Sequence, residues 1–179
     1  MNEIKFLTDV DYVRNDWIGG FSPLEINLIN KYTKSSILHL FSGSSSIGEI
    51  RVDINPKSQA TIIDDVFKYI QNNNEKFNTI LLDPIYSSEH RVKFWREVYN
   101  EHNPELFKKM YVFPYDTRRT KKLWDFFEKM YPLRIIIKSL GFYTIPKYKL
   151  LQGFSIYLGA YKPNRCLAIY QAKNHKILL

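Results

Sequence analysis

The chain has 179 residues, 45% hydrophobic and 25% charged, with a formal net charge of +8, which fits one domain with a substantial core. No apolar run approaches the ~20 residues of a membrane span, and the mixed start "MNEIKFLTDVDY" is not a secretory signal, so a cytoplasmic protein without a membrane partner is expected. Cys166 is the only cysteine, which excludes an internal disulfide and argues against a cysteine-built metal centre; no metal site is expected.

The charge is uneven. Residues 1–86 hold 8 Lys/Arg against 11 Asp/Glu, and residues 87–179 hold 18 against 7. A nearly neutral half with acidic loops is joined to a strongly basic half. Such asymmetry points to a polyanionic partner, nucleic acid before others.

In chain order, "GFSPLEINLINKYTK" has a helix start. Ser22 can cap, Pro23 suits the first helical position and Glu25 completes a capping box. Residues 36–41, "SILHLF", read as a buried strand ending in Ser-Gly-Ser. "IRVDI" (50–54) and "ATIIDD" (60–65) read as further strands, followed by a short helix "DVFKYI". "TILLD" (79–83) is the clearest strand and runs into "DPIY". "SEHRVKFWREVYNEH" is an amphipathic helix, "MYVFPY" a strand, and "TRRTKKLWDFFEKMY" a helix with Thr117 as cap. "LRIIIKS" and "FSIYLGAY" are strands with a lysine-bearing loop "PKYKLLQG" between them, and "CLAIYQ" adds a last short one.

This order predicts an α/β domain over 1–179. Its sheet is mostly parallel with an antiparallel finish, and residues 1–35 pack on it. In such sheets ligands bind outside the carboxyl ends of the strands. Those ends here read Ser42-Gly43-Ser44, Asp53, Asp64-Asp65, Asp83-Pro84 and Tyr115-Asp116. Small and acidic residues gathered on one rim suit a ligand rich in hydroxyls and amines, since carboxylates without one repel.

Leu38-His39-Leu40-Phe41-Ser42-Gly43-Ser44-Ser45, then Asp53 in "VDINP", then Asp83-Pro84-Ile85-Tyr86, resemble the class I methyltransferases that use S-adenosylmethionine (SAM), in particular those methylating amino groups of adenine, cytosine or guanine. The family's first loop commonly reads Leu-Asp-x-Phe-Ala-Gly-Ser-Gly and its catalytic motif Asp-Pro-Pro-Tyr. "SPLEINLI" is similar to the helix before the loop in some DNA amino-methyltransferases. By motif the resemblance covers about residues 20–86; beyond that it rests on element order.

The resemblance implies a Rossmann-like methyltransferase sheet and a SAM site built from Phe41, Ser42, Gly43 and Ser44, from Asp53 and Ile54, and from Asp64 or Asp65. Gly43 allows close backbone approach because it has no Cβ. Asp53 would accept the ribose hydroxyls, and one of Asp64 and Asp65 the adenine amine, while the other caps the following helix. It also implies a catalytic set of Asp83, Pro84 and Tyr86. Asp83 and the Pro84 carbonyl would accept the two hydrogens of the target amine, and Tyr86 would stack on the base. Ile85 replaces the second proline, which frees ψ of Pro84. DNA adenine N6 is the first-choice target, with RNA as the alternative; a base in duplex would have to be flipped out.

Arg91 and Lys93 after "DPIY", Arg118, Arg119, Lys121 and Lys122 after "MYVFPY", and Lys147 and Lys149 between the last two strands are expected to contact nucleic-acid phosphates, the first two sets on the same rim. His39, where the family carries an acid, reads as a core histidine.

The links are short. Residues 42–49 reach about 26 Å and 55–59 about 16 Å when extended, enough for a return but not for a helix with its turns. The first wing of the sheet is therefore expected to lack its helices. Two consequences follow. The SAM carboxylate would need loop N–H groups or Tyr12, Arg14 and Trp17, and the uncovered face would need residues 1–35 or a second subunit in a homodimer. Two other functions fit the same residues: a non-catalytic nucleic-acid-binding protein on an eroded methyltransferase scaffold, and a methyltransferase for a protein amide or small molecule.

Overall fold

A computed structural model describes residues 4–9, 20–85, 111–158 and 164–173. Among these residues eight strands and three helices follow in chain order: β1 Ile4–Thr8, α1 Pro23–Tyr32, β2 Ile37–Leu40, β3 Ile50–Asp53, β4 Ile62–Ile63, α2 Val66–Asn72, β5 Thr79–Leu82, α3 Thr117–Met130, β6 Arg134–Ser139, β7 Tyr148–Tyr157 and β8 Arg165–Ala172. They form one sheet in the order β1-β7-β8-β6-β5-β2-β3-β4. β8 runs antiparallel to β6 and β7, and every other pairing is parallel. The mostly parallel α/β sheet read from the sequence is therefore present. From β2 the chain winds outward through β3 and β4, then returns to β2's other side for β5 and β6. The winding direction reverses between β2 and β5.

The central strands read as unbroken apolar runs because helices cover both faces. Leu38, Leu40, Ile80, Leu82, Ile135 and Ile137 point into a core shared with α2 and α3. The alternate residues Leu81, Ile136, Leu167 and Ile169 point into a second core with Ile29 of α1. α1 starts as its sequence dictates: Ser22 Oγ accepts the Glu25 N–H, and Glu25 accepts the Ser22 N–H at 2.8 Å.

The wing β2-β3-β4 has no crossover helices. Residues 42–49 fold back directly over β2, with Ile47 in the α1-side core and its carbonyl on His39 Nδ1 at 3.0 Å. Gly48 makes this possible. Its φ is +103°, and a Cβ there would stand 3.2 Å from the Ile37 carbonyl oxygen and 3.4 Å from the His39 Cβ. Gly48→Ala is expected to lower stability by about 1–3 kcal/mol, read as a shift in the urea midpoint; an unchanged midpoint would contradict this packing.

Several expectations need correction. The wing does not leave bare apolar sheet. On the α1 side β3 carries Arg51 and Asp53, and Arg51 donates to the Gly48 and Gln59 carbonyls at 2.7 and 3.1 Å. Residues 4–8 do not cover a face; they add an edge strand, paired with β7, on which Phe6 is 81% exposed. "MYVFPY" is not a strand over its described residues: only Val112 bridges, to Ile85, and Pro114 has no N–H to continue a ladder. The helix after it is capped by Asp116, whose carboxylate accepts the Arg119 N–H, and not by Thr117. Most of "PKYKLLQG" belongs to β7, with Tyr148 buried and Lys149 exposed in strand alternation. The helix expected over "SEHRVKFWREVYNEH" lies outside the described residues. Among the described residues no helix is long and apolar enough to cross a membrane.

Candidate functional site

Strands β2, β3, β4, β5 and β6 deliver their carboxyl ends to one rim, and the winding reversal between β2 and β5 opens that rim where a ligand has most room. β2 ends abruptly. Phe41 adopts φ +59° and Gly43 φ +53°, so the chain leaves the sheet through two left-handed residues. For a phenylalanine that conformation is costly and persists only where surroundings hold it. Here the ring stacks on Tyr111 at 5.4 Å and lies 6.0 Å from Phe67. Phe41 thus anchors the loop through its side chain.

Asp53 fixes the loop from the neighbouring strand. One carboxylate oxygen accepts the Gly43 N–H and the other the Asn55 N–H, both at 2.8 Å. Burial raises its carboxyl above the ordinary value, and these N–H groups pull it back. Each oxygen retains a lone pair. The Gly43 carbonyl accepts from Gln59, and the Ser42 N–H donates to Val52, so three segments close around this turn. The Ser42 hydroxyl beneath it is fully buried and has no hydrogen-bond partner among the described residues. Ile54, also expected at this site, follows directly in the same turn and is half-buried.

At β4 the two adjacent carboxylates separate in role. Asp65 caps α2, its Oδ1 accepting the Phe67 and Lys68 N–H groups. Asp64 stays at the rim, bonded to the Asp65 N–H and 3.3 Å from Lys68 Nζ. Of the pair, Asp64 has its carboxylate outside the cap.

Asp83, at the end of β5, is in different company from that expected. Leu82 pairs with Ile137 in the sheet, so the next residues, Asp83 and Lys138, stand side by side on the α1 face. Lys138 Nζ is 2.9 Å from each Asp83 oxygen, and both side chains are buried. The Gly20 N–H donates to Asp83 Oδ2 at 2.7 Å, the ammonium also donates to the Gly20 carbonyl, and it lies 4.5 Å from the Phe21 ring centre. Burial raises the Asp83 carboxyl above its ordinary value, against the opposing pull of Lys138. Nearby, buried Glu25 pairs with Arg165 at 3.4 Å. Two carboxylates and two cations thus balance in one buried group. Lys138 was missed as a functional residue, although a lysine inside "RIIIKS" is itself a sign: a buried charge needs a partner.

His39 is a core residue, as expected. It is fully buried, 5.6 Å from the Phe21 ring, and burial lowers its pKa to about 3. With Nδ1–H donated to Ile47, Nε2 holds a lone pair with no hydrogen-bond partner among the described residues.

The basic residues divide. α3 runs antiparallel to the strands, so its first turns lie at the rim. Arg118, Lys121 and Lys122 are exposed there. Arg119 is half-buried, 2.6 Å from Asp116 and beside the Phe67 and Tyr111 rings. Lys121 pairs with Asp125. Lys147 and Lys149 lie at the opposite end of the strands, at the start of β7, where Lys147 pairs with Glu128 near the end of α3. Ser44 is exposed on the loop and Pro84 is buried behind Asp83. Tyr86, Arg91 and Lys93, and the proposed carboxylate partners Tyr12, Arg14 and Trp17, lie outside the described residues. Comparison with models of known protein families and with curated protein sequences gives no match.

Proposed function

We propose that the protein is a SAM-dependent methyltransferase acting on an exocyclic amine of a nucleic-acid base. The observation that carries this reading is the rim at the winding reversal. A left-handed glycine turn ends β2, a carboxylate from β3 grips that turn, and Asp-Pro ends β5 on the other side of the reversal. The order β4-β3-β2-β5-β6 is the 3-2-1-4-5 order of doubly wound nucleotide-binding sheets. The antiparallel last strand agrees with the same resemblance.

The residues present fit the cofactor. Asp53 keeps one lone pair per oxygen, an acceptor pair for two ribose hydroxyls. The buried Ser42 hydroxyl lacks a partner among the described residues beneath the turn, and Asp64 remains for the adenine amine. When bound, SAM supplies a methyl group already activated on sulfonium. The chain's task is then to orient the amine in line with it. Asp83 accepts one amine hydrogen and the Pro84 carbonyl the other, which turns the nitrogen lone pair toward the methyl group. Burial raises the Asp83 carboxyl, and Lys138 opposes that pull, which favours the carboxylate as an acceptor. Oδ1 touches only Lys138 among the described residues and is the oxygen with capacity to spare.

One observation favours a second reading. Lys138 and Gly20 already engage both Asp83 oxygens within a buried group, which suits a non-catalytic nucleic-acid-binding protein on a methyltransferase scaffold. Transfer of labelled methyl from SAM to mixed DNA and RNA separates the two. The proposal expects incorporation by the wild type and at least a hundredfold less in Asp83→Asn, the order of loss for a removed positioning group. Incorporation unchanged in Asp83→Asn removes Asp83 from the mechanism, and none in the wild type leaves the binding function.

A further inference from the structure

The exposed surface of the α3 rim carries a pattern that neither the cofactor nor the catalytic reading uses. Tyr115 is 61% exposed, among the most exposed large apolar side chains described. It sits in the turn that leads into α3, directly before the capping residue Asp116. Its neighbour in space is Tyr143 of the loop after β6, whose hydroxyl is raised above its ordinary value by burial and then by Tyr115. The Tyr143 ring packs edge-on against buried Phe113 at 4.8 Å.

Four cations follow Tyr115 within residues 118–122. Two are engaged by acids: Arg119 by Asp116 and Lys121 by Asp125. Arg118 and Lys122 are exposed and make no ion pair among the described residues. Their spacing of four residues places them on one face of α3, about 6 Å apart along its axis. No acid stands between them on that face. The helix therefore presents an exposed ring followed by two cations in a row.

We propose that Tyr115, Arg118 and Lys122 form a landing strip for single-stranded nucleic acid, with a base stacked on Tyr115 and successive phosphates on the two cations. The proposal rests on the nucleic-acid reading above and adds the strand state and the residues. An exposed ring offers a base a stacking face, which only an unpaired base can use, because a duplex shows its edges and not its faces. Cations one helical turn apart meet a backbone of repeating negative charge, whereas an acidic peptide would gain nothing from the ring. The strip lies on the same rim as Asp83, so a strand held there runs toward the proposed methyl-transfer site. Lys147 and Lys149, at the opposite end of the strands, take no part.

The test is fluorescence anisotropy of a labelled twelve-nucleotide oligothymidine and of a random duplex of equal length, without SAM, across a salt series. Tyr115→Ala is expected to weaken single-strand binding about tenfold or more, as for loss of one base–aromatic stack, and Tyr115→Phe to keep it within twofold. Arg118→Gln/Lys122→Gln should lower the salt dependence by about 1.4, from ~0.7 per phosphate contact on a single strand. Lys147→Gln/Lys149→Gln should leave both unchanged. Wild-type binding that Tyr115→Ala leaves intact, or tighter binding of duplex than of single strand, overturns the strip while the nucleic-acid reading stands. No binding of either probe by the wild type overturns that reading as well, whatever the outcome of SAM binding. Each variant alters exposed groups, so a matching unfolding midpoint shows that the fold is kept.

Discussion

Lys138→Met is expected to cost about 3–5 kcal/mol of stability, the range for removing one partner of a buried ion pair. The reason is local. Among the described residues Asp83 would keep only the Gly20 N–H, and its charge would stay buried beside Arg165, which pairs with Glu25. The double variant Lys138→Met/Asp83→Leu removes both charges and should regain most of the loss, because apolar replacements of a buried pair are often neutral or better. The pH dependence provides a check of sign. Without Lys138 the folded-state pKa of Asp83 rises further above its unfolded value. The single variant should therefore gain stability relative to wild type as the pH falls toward the ordinary carboxylate range, and lose it again as the pH rises. Urea unfolding of the three proteins at pH 5 and pH 8 measures this. A single variant within 1 kcal/mol of wild type would mean that the pair is not the latch described.

The second large effect comes from His39. Its folded pKa of about 3 lies well below the ordinary 6.5. Between those values the unfolded chain binds the proton and the folded chain does not. Stability due to this residue is therefore complete above about pH 6.5 and is lost as the pH falls toward 3, with a slope approaching 1.4 kcal/mol per pH unit. The cause is geometric: the ring is fully buried between β2 and the folded-back 42–49 link, with Lys138 and Arg51 adding repulsion to any second proton. Asp83 contributes the opposite sign in the acid range, since its folded pKa is raised. The measurement that isolates His39 is thus the difference in pH slope between wild type and His39→Gln. The slope between pH 6.5 and 4 should be markedly shallower in the variant. Equal slopes would show that His39 is charged, or exposed, in the folded protein.

How far the sequence carried this reading depended on whether the information was local. The capping box of Ser22 and Glu25, the buried strands β2 and β5, and the absence of helices from the first wing all follow from neighbours in the chain or from arithmetic on link length. The hidden parts depend on register. Nothing near Asp83 announces Lys138, 55 residues away; only the pairing of Leu82 with Ile137 brings them together. The division of labour between Asp64 and Asp65 depends on where α2 begins within one residue, which caps decide and periodicity does not. β1 is exposed along nearly its whole length, so no buried face marks its five residues, and the open edge of β7 accounts for their pairing. Phe41 reads from the sequence as the strand's last residue and a cofactor contact, but its ring is an anchor in an aromatic cluster built from Phe67 and Tyr111, far along the chain.

The rim also explains the charge asymmetry. The acids Asp53, Asp64 and Asp83 end the strands of the first half, where hydroxyls and amines would be bound. The exposed cations Arg118 and Lys122 open α3 in the second half, where phosphates would lie. One molecule thus offers two chemically different surfaces along a single rim.

The most direct test of the account is calorimetric titration of SAM into the wild type and into Asp53→Ala. The wild type is expected to bind one equivalent, and Asp53→Ala to bind at least tenfold more weakly, because both the ribose acceptors and the hold on the Gly43 turn are lost. No heat from the folded wild type, over a concentration range reaching millimolar, would contradict a cofactor site at the reversal between β2 and β5.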